Sequence, residues 1–247
     1  MTQVVILAAG KGKRMGVGLP KVLREVGGKT MIERVVDSVL KSGVTGRPVV
    51  VVGYGTEIIK KYLGTSCSYV LQAEQLGTAH AVSSAESYLV GVDNIIVING
   101  DVPFLRPETL VKLAAAHEKN QAALTMVTLR LPDFGEWRNT FYDFGRIVRN
   151  SSGEVAAIVE KKDATPEQLE TAEVNPSFFC FRADWLWENL AKINCDNAQG
   201  EFYITDLVKM AISENFKVET LVTDDPTEAV GVNTPEQLGL AQSLIEK

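Results

Sequence analysis

Histidine and cysteine are scarce in this chain: two of the first and three of the second in 247 residues. His80 falls inside a helical pattern and His117 in a charged helix tail, so a two-histidine metal or catalytic site is not expected. Cys67, Cys180 and Cys195 share no C-x-x-C spacing, which removes a dithiol or zinc-ribbon reading and suits a reducing compartment; all three read as unreactive packing residues. No apolar run approaches the roughly 20 residues of a membrane span, and the first strand lacks the cationic lead-in of a signal peptide. Positive charge is not in excess either. With 25 Lys and Arg against 31 Asp and Glu, the net charge of −6 argues against broad binding to nucleic acid or anionic membranes. A cytoplasmic protein acting on small molecules is the expectation.

What the chain does have is a concentrated stretch at residues 4–23. Val4, Val5, Ile6 and Leu7 form a short, β-branched-rich run that reads as a strand buried on both faces. Ala8, Ala9, Gly10 and Gly12 follow at once, so a ligand can approach the backbone closely. Lys11, Lys13, Arg14 and Lys21 then place four cations in a loop without an acid. A buried strand that empties into such a loop suits a polyanion, and a nucleoside triphosphate is the expected one. The dinucleotide pattern G-x-G-x-x-G fails because Met15 holds its third position, and Gly53-Tyr54 stand where an acid should end the second strand. A P-loop fails as well: Gly28-Lys29-Thr30 would supply its end, but Leu23 occupies the place of its first glycine.

Beyond the loop, apolar residues at Met31, Ile32, Val35, Val36, Val39 and Leu40 trace one helical face across residues 30–42. Strands at 48–52 and 68–71 and a helix at 57–63 complete a β-α-β-α-β unit. The expected fold class is therefore α/β, a Rossmann-like, mostly parallel mixed sheet flanked by helices, with ligands beyond the carboxyl ends of its strands. The third strand ends at Gln72, whose amide offers a donor and an acceptor to a nucleobase edge. Gly77-Thr78 begins a helix expected to reach residue 88, with Thr78 as its cap. The fourth strand, 94–98, runs into Asn99-Gly100-Asp101-Val102-Pro103. An aspartate directly after a buried strand is poorly explained by packing, and it is a hard oxygen ligand suited to Mg²⁺ shared with substrate phosphates.

A helix at 107–119 and a strand at 122–129 follow, after which the rhythm changes. Residues 133–143 show no clean period and read as a loop over the site. Asn150-Ser151-Ser152-Gly153 between two strand-like arms is a hairpin signature. Thr165-Pro166-Glu167-Gln168 and Thr234-Pro235-Glu236-Gln237 are both capping boxes, the second opening an amphipathic helix to the end of the chain. With no internal repeat and no linker, residues 1–247 read as a single domain, elaborated after the fifth strand and ending in a terminal helix at 234–247.

Taken in order, Leu7-Ala8-Ala9-Gly10-Lys11-Gly12-Lys13-Arg14-Met15, Leu19-Pro20-Lys21-Val22-Leu23, the segment 72–78, Gly100-Asp101-Val102-Pro103, Gly145-Arg146-Ile147, Ile158-Val159-Glu160-Lys161, the segment 197–206 and Gly231-Val232-Asn233 resemble a family. It is the uridyltransferase half of the bacterial bifunctional N-acetylglucosamine-1-phosphate uridyltransferase and glucosamine-1-phosphate acetyltransferase, within the sugar nucleotidyltransferase superfamily. The resemblance spans essentially the whole chain. It implies the nucleotide-diphospho-sugar transferase fold, with a β-hairpin-containing sugar-binding elaboration. No hexapeptide period of the acetyltransferase β-helix is present, so acetyl transfer is not expected and the oligomeric state stays open.

The resemblance further implies UTP and a sugar 1-phosphate as substrates and Mg²⁺ as cofactor. Arg14 and Lys21 would be catalytic. Leu7, Ala8, Ala9, Gly10, Gly12, Gln72, Gly77 and Thr78 would bind the nucleotide, and Asp101 and Asn233 the metal. Gly145, Glu160, Asn175, Glu201, Tyr203 and Thr205 would bind the sugar. Three departures stand out: Lys13 in place of a usual threonine, Asn99 in place of an aromatic residue, and Asn175-Pro176-Ser177 where the family reads Asn-Thr-Gly. A pyrophosphorylase for another sugar 1-phosphate or nucleotide (glucose-1-phosphate uridylyl- or thymidylyltransferase), or a catalytically idle UDP-sugar sensor, are the alternatives.

Overall fold

The computed structural model describes residues 1–16, 18–223 and 225–246. Val17 in the first loop, the side chain of Lys13, and Lys247 at the end of the expected last helix lie outside the described residues. The chain runs β1 (Thr2–Ala8), β2 (Glu25–Val26), β3 (Lys29–Thr30), α1 (Met31–Ser42), β4 (Val49–Val52), α2 (Thr56–Leu63), β5 (Ser68–Leu71), α3 (Thr78–Ser83), β6 (Asn94–Asn99), α4 (Pro107–Asn120) and β7 (Leu124–Arg130). It continues with β8 (Arg146–Arg149), β9 (Val155–Val159), α5 (Pro166–Leu169), β10 (Glu173–Val174), β11 (Phe179–Arg182), α6 (Ala183–Leu190), α7 (Asp206–Ser213), β12 (Val218–Val222) and α8 (Pro235–Ile245).

Among the described residues ten strands share one sheet in the order β5-β4-β1-β6-β11-β7-β10-β8-β9, with β12 beside β7. β5, β4, β1 and β6 are parallel neighbours, as their apolar runs imply. β11 enters antiparallel between β6 and β7, which keeps β7 in the direction of β6, and β12 pairs parallel with β7. The sheet is mixed for this reason. Alternate residues of the central strands feed two cores. Val4, Ile6, Val50, Val52, Ile96 and Ile98 meet α1, α2 and α4, while Val5, Val49, Val51, Ile95 and Val97 meet α3, α6 and α7.

Several expectations shift in detail. Thr30 is the cap of α1, in a reciprocal box with Glu33, and Lys29 pairs with Asp37, so Gly28-Lys29-Thr30 has a helix-starting role unrelated to phosphate. The box at Thr165 forms as expected. At Thr234 only half of one forms: Thr234 accepts from Gln237 N, but Gln237 Oε1 takes the N–H of Asn233 instead. The helix begun at 78 stops at Ser83 rather than running on to residue 88, where Ser83 and Ser84 hydroxyls both donate to the His80 carbonyl and a separate 3₁₀ turn follows. Thr78 does not cap that helix, since Gly77 holds the cap position. Residues 136–143 form a 3₁₀ segment that buries Phe141 in a satellite core, so only its end, at Asp143, reaches the cavity. His117 is buried and hydrogen-bonded to Thr125 Oγ1 at 2.9 Å, and burial pulls its pKa down to about 4. Cys195 is exposed, unlike the two packing cysteines.

Candidate active site

The loop after β1 is held from beneath. Met15 is buried, and its N–H closes onto Gly12 O at 2.8 Å in a 3₁₀ turn that carries Arg14 onto the cavity wall. Gly12 has φ +58°, and a Cβ there would lie 2.6 Å from Lys21 Cβ. Only glycine lets the loop cross Lys21 this closely. Lys21 begins a second 3₁₀ turn whose next residues, Val22 and Leu23, are buried. Its ammonium therefore stays on the wall, donating to Asp101 Oδ2 at 2.5 Å and Asn233 Oδ1 at 2.7 Å.

Asp101 and Asn233 are brought together by backbone. Gly100 N donates to Leu7 O at 2.9 Å, docking the end of β6 on β1, and Val232 N donates to Asp101 O at 3.0 Å. One carboxylate oxygen and one amide oxygen thus converge on a single cation. The Lys21 ammonium shows that this position favours positive charge. Both donors are hard oxygens, and two of them leave most of an octahedral shell for phosphate and water oxygens, which is how Mg²⁺ is usually held. The donor set fits the ion.

Gln72 follows β5 and is buried, with its side-chain Nε2 3.2 Å from Gly77 O and 3.0 Å from His80 Nδ1. Thr78 lines the cavity, and its hydroxyl accepts from Ile204 N at 3.0 Å. The segment 76–79 is thereby sewn to 202–204.

The far wall comes from the base of the β8–β9 hairpin and from the turn before α7. Glu160, just past β9, accepts from Thr205 Oγ1 at 3.0 Å. Desolvation raises its pKa above the ordinary carboxylate value of 4.5, and the charges of Asp163 and Asp206 add to this, against the opposing Thr205 bond. A Cβ on Gly145 would stand 3.4 Å from Glu160 Oε1, and Gly145 O accepts from Asn175 N at 2.9 Å. Asn197 Oδ1 accepts from Gln199 N and Glu201 N, which turns Gln199 and Glu201 to the wall; Gln199 Nε2 donates to Tyr203 OH at 2.6 Å. Asn175 Oδ1 accepts from Ser177 N at 2.9 Å, and Ser177 sits at φ +63°, a left-handed conformation that costs an L residue energy.

All of this faces one cavity of about 1390 Å³. Of the expected residues, Leu7, Ala8, Ala9, Gly10, Gly12, Arg14, Lys21, Gln72, Gly77, Thr78, Asp101, Glu160, Glu201 and Asn233 line it. Gly145, Asn175, Tyr203 and Thr205 lie one layer deeper, the last three buried and each bonded to its neighbours as above. Sequence reasoning missed Lys161, Lys162, Gln199 and Asp143 on the wall and His80 behind Gln72. Lys161 is paired with Asp143 at 2.6 Å, and Lys162 donates to Gln199 Oε1 at 2.9 Å. The consecutive lysines after Glu160 were the available signal.

A cationic small-residue loop at the carboxyl edge of the parallel half of the sheet, facing Asp101, is the arrangement of a nucleotide-handling α/β protein. The chain belongs to the MobA-like NTP transferase domain family, whose model matches residues 4–199. It is 43% identical over 244 residues to the bifunctional protein GlmU of Brevibacillus brevis, covering 98% of this chain and 51% of that protein. To the protein of the same name from Geobacter metallireducens it is 42% identical over 241 residues, 96% of this chain and 49% of the other. The chain thus spans about half the length of these curated relatives. Its backbone superposes on UDP-glucose pyrophosphorylase complexed with UDP-glucose with a TM-score of 0.77 at 17% identity, covering 100% of this chain and 98% of that one, a likeness of fold. Among the described residues no helix is long and apolar enough to cross a membrane.

Proposed function

We propose that the chain is a Mg²⁺-dependent uridylyltransferase that makes UDP-N-acetylglucosamine and pyrophosphate from UTP and N-acetylglucosamine 1-phosphate. One observation carries the reading. The cationic loop, the Asp101–Asn233 pair and the Gln72 and Glu160 walls open on a single cavity, larger than the ~300–1,000 Å³ of a one-ligand pocket and so roomy enough for two substrates.

In this reading an oxygen of the sugar phosphate, already anionic at neutral pH, attacks the α-phosphorus of UTP. A new P–O bond forms as the bond to the bridging oxygen of the β-phosphate breaks, and pyrophosphate leaves with the electron pair. No proton has to be removed, so no general base is needed, and catalysis is positioning and charge neutralisation. Arg14 and Lys21 hold the triphosphate and offset charge developing on the α-phosphate and the leaving pyrophosphate. Asp101 and Asn233 would hold Mg²⁺, which would supply charge neutralisation to the reacting phosphates. The Ala8 to Gly12 backbone, Gln72 and Gly77 take the nucleotide. Glu160 accepts from sugar hydroxyls, with Thr205, Gly145 and Asn175 fixing its carboxylate and the adjoining backbone, and Tyr203 and Glu201 shaping the pocket.

Pyrophosphate release, followed with each nucleoside triphosphate, Mg²⁺ and a panel of sugar 1-phosphates, tests this. UTP with N-acetylglucosamine 1-phosphate should give the highest kcat/KM. A pairing with dTTP or glucose 1-phosphate at least about tenfold faster, on the scale at which pockets discriminate, would name a different pyrophosphorylase. Binding of UDP-sugar without turnover in any pairing would indicate a sensor.

Glu160→Gln separates binding from folding. The raised pKa means the native carboxyl still holds its proton at pH values where the unfolded chain has lost it. Stability therefore falls as pH rises above 4.5 toward and through the raised folded pKa. The glutamine variant is expected to melt higher than wild type at pH 7.5, with the gap closing as scans move toward pH 4.5. Its KM for the sugar 1-phosphate should rise about tenfold or more as the charged acceptor is lost, with KM for UTP unchanged. A variant that melts lower at pH 7.5 would contradict the buried-charge account.

A further inference from the structure

The amide of Gln72 can face the cavity in two ways, and its neighbours decide between them. Gly77 O can only accept, so the atom 3.2 Å from it is the amide nitrogen. That nitrogen also lies 3.0 Å from His80 Nδ1. With one hydrogen on Gly77 O, the other points at Nδ1, which then acts as the acceptor of that bond. Both amide hydrogens are spent inward. Among the described residues no donor reaches Oε1, so the group Gln72 offers to a ligand is a fixed acceptor.

We propose that His80 is the positioning residue for base selection, holding the Gln72 amide so that the cavity accepts a base edge that presents N–H and rejects one that presents a lone pair. Uracil and thymine carry N3–H on that edge; cytosine carries a bare N3. The inference rests on the reading of the cavity as a uridine-nucleotide site and adds the residue that sets its choice. Without His80 a single contact, to Gly77 O, resists rotation of the amide, and a flipped Gln72 would donate to cytosine N3. His80 itself touches no substrate in this scheme. It lies half-buried on the first turn of α3, behind Gln72.

The test is the ratio of dissociation constants for CTP and UTP, measured by calorimetry without sugar phosphate, beside kcat/KM for each. Wild type should prefer UTP. His80→Leu should lower that preference about tenfold, the scale of one net hydrogen bond, with KM for the sugar 1-phosphate unchanged; His80→Ala serves where leucine does not fold. His80→Asn, whose side-chain amide atom falls near the Nδ1 position and can accept, should keep the preference within about threefold. Leucine and alanine variants that bind UTP and CTP with the wild-type ratio, or lose both equally, overturn the role of His80 and leave the uridine reading standing. A wild-type chain with no preference for UTP overturns both.

Discussion

Asp101→Asn is expected to lower kcat/KM about a thousandfold while the protein stays folded, the scale seen when a charge-stabilising group is lost from a preorganised site. The substitution keeps the shape of the side chain and removes only its charge. The backbone contacts that define the position, Gly100 N to Leu7 O and Val232 N to Asp101 O, do not involve the carboxylate. Lys21 loses an ion-pair partner whose side chain is 10% exposed. In a dry interior that would leave a costly uncompensated charge, yet Lys21 lines an open cavity and keeps Asn233 Oδ1 at 2.7 Å. Turning into solvent is the cheaper outcome, so stability should change by less than about 1 kcal/mol. The Mg²⁺ concentration giving half-maximal rate should rise at least about tenfold, since an amide oxygen is a weaker ligand than a carboxylate. Steady-state kinetics over a Mg²⁺ series, with a melting curve beside them, decide the matter. Wild-type turnover in a folded variant would remove Asp101 from the proposed metal site and with it the proposed chemistry.

The same residue shows what patterning along a chain can reveal. An apolar run ending in Gly-Asp locates a strand and a carboxylate at its carboxyl edge, because burial on both faces requires apolar residues and a functional edge tolerates a charge. The parallel half of the sheet, the cationic loop and Gln72 were legible on the same ground. Pairing partners were not. Nothing in the period of residues 177–181 says that β11 slides antiparallel between β6 and β7, since a strand buried on both sides has the same composition whichever neighbour it meets. The approach of Asn233 to Asp101 depends on one backbone hydrogen bond between residues far apart in the chain, and here only the family resemblance paired them. The pattern along the chain marks His80 only as a helix residue, because its partner lies on the preceding strand end, across a glycine turn with no period. The deeper layer of Gly145, Asn175, Tyr203 and Thr205 raises the same difficulty: residues that position others leave no signature beyond being buried.

The seam that joins the two walls gives the strongest structural expectation. Gly77→Ala should destabilise the chain by about 3 kcal/mol, from roughly 1–2 of left-handed strain and 1–3 of overpacking. Gly77 has φ +120°, and a Cβ there would lie 2.5 Å from Phe202 O and 2.7 Å from Phe202 N. Those atoms are backbone and cannot rotate away. They also hold the seam: Phe202 N donates to Leu76 O at 2.8 Å, and Ala79 N donates to Phe202 O at 2.9 Å. Any shift that relieves the clash lengthens one of these bonds and pulls Ile204 N from Thr78 Oγ1 as well. For a chain of this size the loss corresponds to a fall of about 9 °C in melting temperature. Because the proposed function puts nucleotide contacts in 72–78 and sugar contacts in 201–205, KM for both substrates should rise together in whatever folded protein remains. Gly10→Ala is the matched control: nothing lies within 4 Å of a Cβ at Gly10 and its backbone is not left-handed, so its melting temperature should stay within about 2 °C of wild type. A Gly77→Ala protein that melts like the Gly10 control would show that the two walls move independently, and the cavity would then have to be treated as two sites rather than one.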